Sequence, residues 1–173
     1  MQDYTKFRLK EPGELSKVLA GTDNIFVIAC NRCYREFESV DEPDCDEFVG
    51  FAEAEGKPVT GTIQVDFLCN KPLSLRTLDG AIPEGTESVF VISCGLGVQT
   101  VADAVVLPVF AAGDTIHYRG QHGMALTEKA CDACAQCYLN VTGGICPVVD
   151  CSKSLLNGQC GGARDGKCEV DPD

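Results

Sequence analysis

Cysteine is the residue that gives this chain chemical potential: there are 12 among 173 residues, and seven of them lie between Cys131 and Cys168. Cys131, Cys134 and Cys137 form a C-x-x-C-x-x-C run. Two-residue spacing lets successive thiolates wrap one face of a small inorganic cluster, and such a run opens ferredoxin-type [4Fe–4S] motifs. The fourth cysteine of the bacterial ferredoxin run would sit three residues further on, where the chain instead has Asn140-Val141. A fourth ligand must therefore come from Cys146, Cys151, Cys160 or Cys168, and spacing does not choose among them. Seven thiols can hold one cluster with thiols to spare, or one cluster plus a zinc. Structural zinc throughout is the plainer alternative.

A second set depends on where strands end. Ile25-Phe26-Val27-Ile28-Ala29 and Val89-Phe90-Val91-Ile92 are continuous apolar runs, as in strands covered on both faces. Val59 to Val65 alternates and reads as a strand, and Val105 to Phe110 as another. Between them fall helical patterns: Leu15, Val18 and Leu19 with Gly21 as the stop; Phe48, Phe51 and Ala52 with Gly56 as the stop; a short helix capped by Asn70 with Pro72 in its first turn; and Val98 to Ala104. The βαβαβαβ order predicts an α/β fold over residues 1–116, a small Rossmann-like parallel sheet with helices on both faces. Parallel strands end on one rim, where ligands bind. Cys30 and Cys33 follow the first of these strands, Cys69 the second and Cys94 the third. The rim would therefore gather four thiols, enough for a [4Fe–4S] cluster or a zinc held by cysteines alone. Gly95 and Gly97 next to Cys94 would let bare backbone approach the sulfurs. Cys45 sits in a predicted helix and is the cysteine least suited to ligation; each cysteine alone is equally well a small buried hydrophobe.

Residues 117–173 read differently. They are rich in cysteine and glycine and loop-like, with too little apolar periodicity for a core of their own. Such a segment folds when a metal supplies the missing stabilisation. His117 and His122 flank an apparent loop and read as ordinary loop histidines.

Composition narrows the function classes. Hydrophobic residues make up 45% of the chain, so a folded core is expected. The formal net charge of −12 repels phosphate backbones, which argues against nucleic acid. No stretch approaches the ~20 apolar residues of a membrane span, and no apolar run follows the first residues as in a signal peptide. A cytoplasmic location is therefore expected, and in a reducing compartment cysteines bind metal more readily than they pair as disulfides. No P-loop, Ser/His/Asp arrangement or dinucleotide glycine motif is present; Gly95-Leu96-Gly97 lacks the third glycine. A thioredoxin-like role for Cys30-x-x-Cys33 would leave the cysteines at the other strand ends without a purpose.

The run from Cys131 through Cys146-Pro147, Cys151-Ser-Lys-Ser-Leu-Leu-Asn-Gly-Gln-Cys160-Gly-Gly and Gly166-Lys-Cys168-Glu resembles the cysteine-rich C-terminal domain family of methylenetetrahydrofolate reductases. Cys94-Gly-Leu-Gly-Val-Gln and Cys30-x-x-Cys33 are similar to that family as well. The stretch after Cys33 departs from the family pattern, which has a further cysteine there; in this chain the next one is Cys45. In that family the domain is fused to a flavin-binding barrel or stands as a small separate subunit, and this chain contains no barrel. The resemblance implies an iron–sulfur subunit that exchanges electrons with FMN or FAD on a large methylenetetrahydrofolate reductase subunit. It also leaves room for a further electron-donor subunit. One or two [4Fe–4S] clusters are implied, with a zinc-stapled assembly subunit of the same complex as the alternative. No catalytic residue is assigned to this chain, because folate chemistry would belong to the partner.

Overall fold

The computed structural model describes residues 5–31, 45–117, 129–151, 153–155, 160–165 and 167–169. Cys33 and His122 lie outside the described residues, as does the stretch between Cys33 and Cys45.

The elements run β1 (Lys6–Leu9), α1 (Pro12–Leu19), β2 (Ile25–Cys30), α2 (Cys45–Ala54), β3 (Val59–Val65), α3 (Lys71–Leu78), β4 (Ser88–Ile92), α4 (Gly95–Ala104), β5 (Val109–Ala111), β6 (Gly113–His117) and α5 (Leu139–Thr142). Strands β3-β2-β4-β5 form a parallel sheet, as the alternation of strands and helices predicts. β2 and β4 are central, and their apolar runs are buried almost throughout. Successive side chains of a strand point to opposite faces, and here each face has its own core. Ile25, Val27, Phe90 and Ile92 pack with Leu15 and Leu19 of α1 and with Phe48 and Ala52 of α2. Phe26, Ile28, Val89 and Val91 pack with Leu78 of α3 and with Val98 and Val101 of α4. Helices therefore cover both faces.

Local signals place most helix ends. Pro12 opens α1, where its missing N–H costs nothing. Asn70 caps α3 by accepting the Leu73 N–H at 3.2 Å. Gly56, with φ of 76°, ends α2 in the left-handed region. Gly21 follows the cap of α1 and donates to the Val18 carbonyl, but without a left-handed φ.

Three features differ from the sequence expectation. α4 begins at Gly95, directly after Cys94, rather than at Val98. β5 begins at Val109, not Val105, because Val105 caps α4 and Val106 projects fully into solvent before the chain reaches the sheet edge. Outside the parallel sheet, β1 and β6 pair as an antiparallel ribbon, so His117 ends a strand instead of entering a loop. The periodicity that marks the central strands is weak in these short segments, and their pairing is non-local.

Cys45 is buried in helix α2 among the apolar side chains under the sheet. Among the described residues, no helix is long and apolar enough to cross a membrane.

Candidate metal centre

The cysteines in the described residues carry thiols and are not disulfide-bonded. Of the predicted rim set, Cys30, Cys69 and Cys94 lie at one end of the sheet, and Cys33 lies outside the described residues. Cys30 ends β2, Cys69 lies just past β3, and Cys94 occupies the cap position of α4 after β4. Burial pushes the Cys94 thiol well above its ordinary range; the nearby Cys30 adds to this, the Gly97 N–H opposes it, and Cys69 and Cys131 add again. These four sulfurs are thus electrostatic neighbours. Cys131 was expected only in the second set, yet its thiol reaches the rim.

The start of α4 makes that approach feasible. A Cβ on Gly95 would stand 3.0 Å from the Cys131 sulfur, so a larger residue would press directly on the thiol. Gly97 has a different reason: a Cβ there would run into Ser93 and crowd Leu68. The glycines singled out from sequence therefore serve close approach, one to a sulfur and one to the packed core.

The C-x-x-C-x-x-C run curls around a cleft at this end of the sheet. Ala133 and Ala135 adopt left-handed φ values of 49° and 58°, which turn the chain sharply between successive cysteines. The cleft is lined by Cys131, Cys134, Cys137 and Cys146, with Gly95 and Thr115 at its floor. The cleft is narrow, with a cavity volume of about 20 Å³; the space of about 360 Å³ around it includes open solvent. Of the four candidates for the remaining ligand, only Cys146 lines this cleft. Cys160 and Cys168 are exposed. Cys151 lies in a separate turn, where the Leu155 and Lys153 N–H groups pull its thiol below the ordinary range.

Burial and mutual repulsion act together on the cleft thiols. Burial raises Cys131, against hydrogen bonds from the Ala133 N–H and the Thr115 hydroxyl, and Cys146 and Cys134 raise it further. Burial pushes Cys137 up to about 11, although the Leu139 N–H and the charge of Lys10 favour its thiolate. Crowded, partly buried thiols lose their protons to solvent readily only when a cation or a cluster binds the thiolates and supplies the missing positive charge. N–H and O–H donors already aimed at the sulfurs are what cluster-bound thiolates use. The donor set thus suits a [4Fe–4S] cluster. Among the described residues, no three Cys, His, Asp or Glu side chains meet closely enough to hold a single metal ion. The thiols surround a cleft and do not converge on a point.

Residues that sequence reasoning passed over hold the run in place. Lys10, with its side chain wholly buried, donates to Asp114 at 2.7 Å, and Asp114 accepts the Cys137 N–H at 2.7 Å. The Ala135 N–H donates to the Thr115 carbonyl, and the Thr115 hydroxyl accepts the Gly95 N–H at 2.8 Å. Gln99 on α4 donates to the carbonyls of Gly95 and Ala130. Asn140 pairs with both backbone groups of Ala111 on β5, accepting its N–H at 2.6 Å and donating to its carbonyl at 3.1 Å. Gln99, a long polar side chain on the buried first half of α4, is a local signal. Nothing in the sequence near Lys10 or Asp114 pointed to a pairing between them.

Neither the curated proteins nor the solved structures include a match to this chain. Residues 110–173, which carry β6, the C-x-x-C-x-x-C run and the later cysteines, match the family described as methylene-tetrahydrofolate reductase C terminal, in agreement with the resemblance seen in the sequence.

Proposed function

We propose that this chain is an iron–sulfur electron-transfer subunit that works with a methylenetetrahydrofolate reductase and exchanges electrons with a flavin on a larger partner subunit. The observation that carries this proposal is that Cys131, Cys134, Cys137 and Cys146 line one cleft. These four residues would hold a [4Fe–4S] cluster. A second centre would use Cys30, Cys69 and Cys94 at the rim, with Cys33 as the expected fourth ligand. A bound cluster supplies one-electron storage with no bond made or broken at the substrate. The protein's part is to keep the thiols in register, donate hydrogen bonds to sulfur and set the local charge. Cys131 lies next to both thiol groups, so two centres held here would be close enough to pass electrons between them.

Purification without oxygen, followed by iron and acid-labile sulfide counts, tests the proposal. Cys146→Ser should abolish sulfide at this centre, whereas Cys160→Ser should leave it intact. Stoichiometric zinc with no sulfide would overturn the electron-transfer assignment and favour a zinc-stapled assembly subunit.

A further inference from the structure

We propose that Lys10 and Asp114 are positioning residues that set the charge at Cys137, and through it the reduction potential of the cluster held in the cleft; this rests on the iron–sulfur assignment above. The pair joins Lys10, directly after β1, to Asp114 in β6, 104 residues apart. Both residues are buried, Lys10 at 2% exposure and Asp114 at 6%. The Lys10 ammonium donates to Asp114 at 2.7 Å, to Glu14 at 2.5 Å and to the Cys137 carbonyl at 3.3 Å. The same Asp114 oxygen that accepts from Lys10 also accepts the Cys137 N–H. One cation and one anion therefore both contact the backbone of a single candidate ligand.

Stability alone explains this arrangement poorly. Taking two charges out of water is costly, and an apolar pair of similar volume holds a core as well or better. A buried charge does act strongly on a redox centre nearby, because little water screens it. Reduction adds one electron to the cluster and makes it more negative. Lys10 therefore favours the reduced form and Asp114 the oxidised form, and together they fix the balance. Glu14 is partly exposed, at 44% of its side chain, and water screens its share.

The test compares the full wild-type chain, loaded with clusters, with Lys10→Met, Asp114→Asn and the double variant. Each is assayed for iron and sulfide and then titrated with dithionite under equilibrium potential control. Lys10→Met should lower the potential and Asp114→Asn should raise it. Each shift should be at least tenfold in the ratio of reduced to oxidised cluster at fixed potential, ~59 mV for a one-electron couple. The double variant should return toward wild type. Asn keeps an acceptor for the Cys137 N–H, so its shift reports charge and not a lost contact. Shifts of opposite sign with unchanged sulfide support the proposal. Equal potentials in all four proteins overturn it, as does sulfide loss in both single variants beside an intact wild type, since that marks a merely structural pair. A wild type without sulfide overturns the iron–sulfur assignment itself, and the inference with it.

Discussion

Cys94 and Cys137 both sit where burial raises the thiol, but their surroundings are built differently. Cys94 caps α4 just past a central strand whose neighbours on both faces are buried apolar side chains. Cys137 lies on a loop held by Asp114, the Thr115 backbone and Asn140, with Leu139 buried two residues on. Val141 and Ile145, in the same segment, are largely exposed. Packing within the sheet places the rim thiols. The cleft thiols Cys131, Cys137 and Cys146 pack against the edges of the two cores, and their loop relies in addition on a handful of hydrogen bonds that contribute only about 1 kcal/mol each. The two groups of thiols thus sit on a rigid wall, built into the packed sheet, and on a more adaptable wall, built on a loop.

Breaking the rigid side should have the largest effect. Phe90 is fully buried and stacks on Phe48, with ring centroids 5.3 Å apart. Phe90→Ala should cost about 3–5 kcal/mol of global stability in the metal-free chain, read from urea unfolding. A cost below about 1 kcal/mol would show that the sheet does not hold the rim as described.

A pH series on the same metal-free chain probes both walls at once. Folding raises the thiols of Cys94, Cys131 and Cys137, so the folded state keeps protons that the unfolded state has already lost. That stability is intact below pH 9 and declines as the pH climbs toward about 11, the value for Cys137. Lys10 works in the same direction: burial disfavours its ammonium, but the bonds and charges of Asp114 and Glu14 outweigh that and raise it. Urea midpoints that stay level across this range would contradict the burial of these groups.

Asn140→Ala sharpens the comparison on the adaptable side. It removes both bonds to Ala111 and should loosen the segment by about 1–2 kcal/mol. Hydrogen exchange should speed up for the amides of residues 137–146 and stay unchanged in β2 and β4. Equal loosening of the central strands would mean that the two regions open together.

The smallest effect is expected at the exposed Lys153–Glu169 pair, whose side chains are 48% and 42% exposed. Glu169→Gln should change stability by no more than about 1 kcal/mol, and less at high salt. A larger loss would show that the last cysteines sit in a more tightly built region than their exposure indicates.

The sequence by itself determined the parts that rest on neighbouring residues. Continuous apolar runs marked β2 and β4 as buried parallel strands, and alternation marked β3. Contiguous spacing made Cys131, Cys134 and Cys137 a single unit. Cys30, Cys69 and Cys94 could be placed on one rim because parallel strands all end on the same side. Tertiary structure alone decided that Cys146 lines the same cleft as the run, that Cys131 also reaches the rim, and that Lys10 meets Asp114 beside Cys137. Those contacts join residues far apart in the chain. They depend on strand order, on the antiparallel register of β1 with β6 and on how the last segment docks, and summed packing across the whole molecule sets these where no local pattern can.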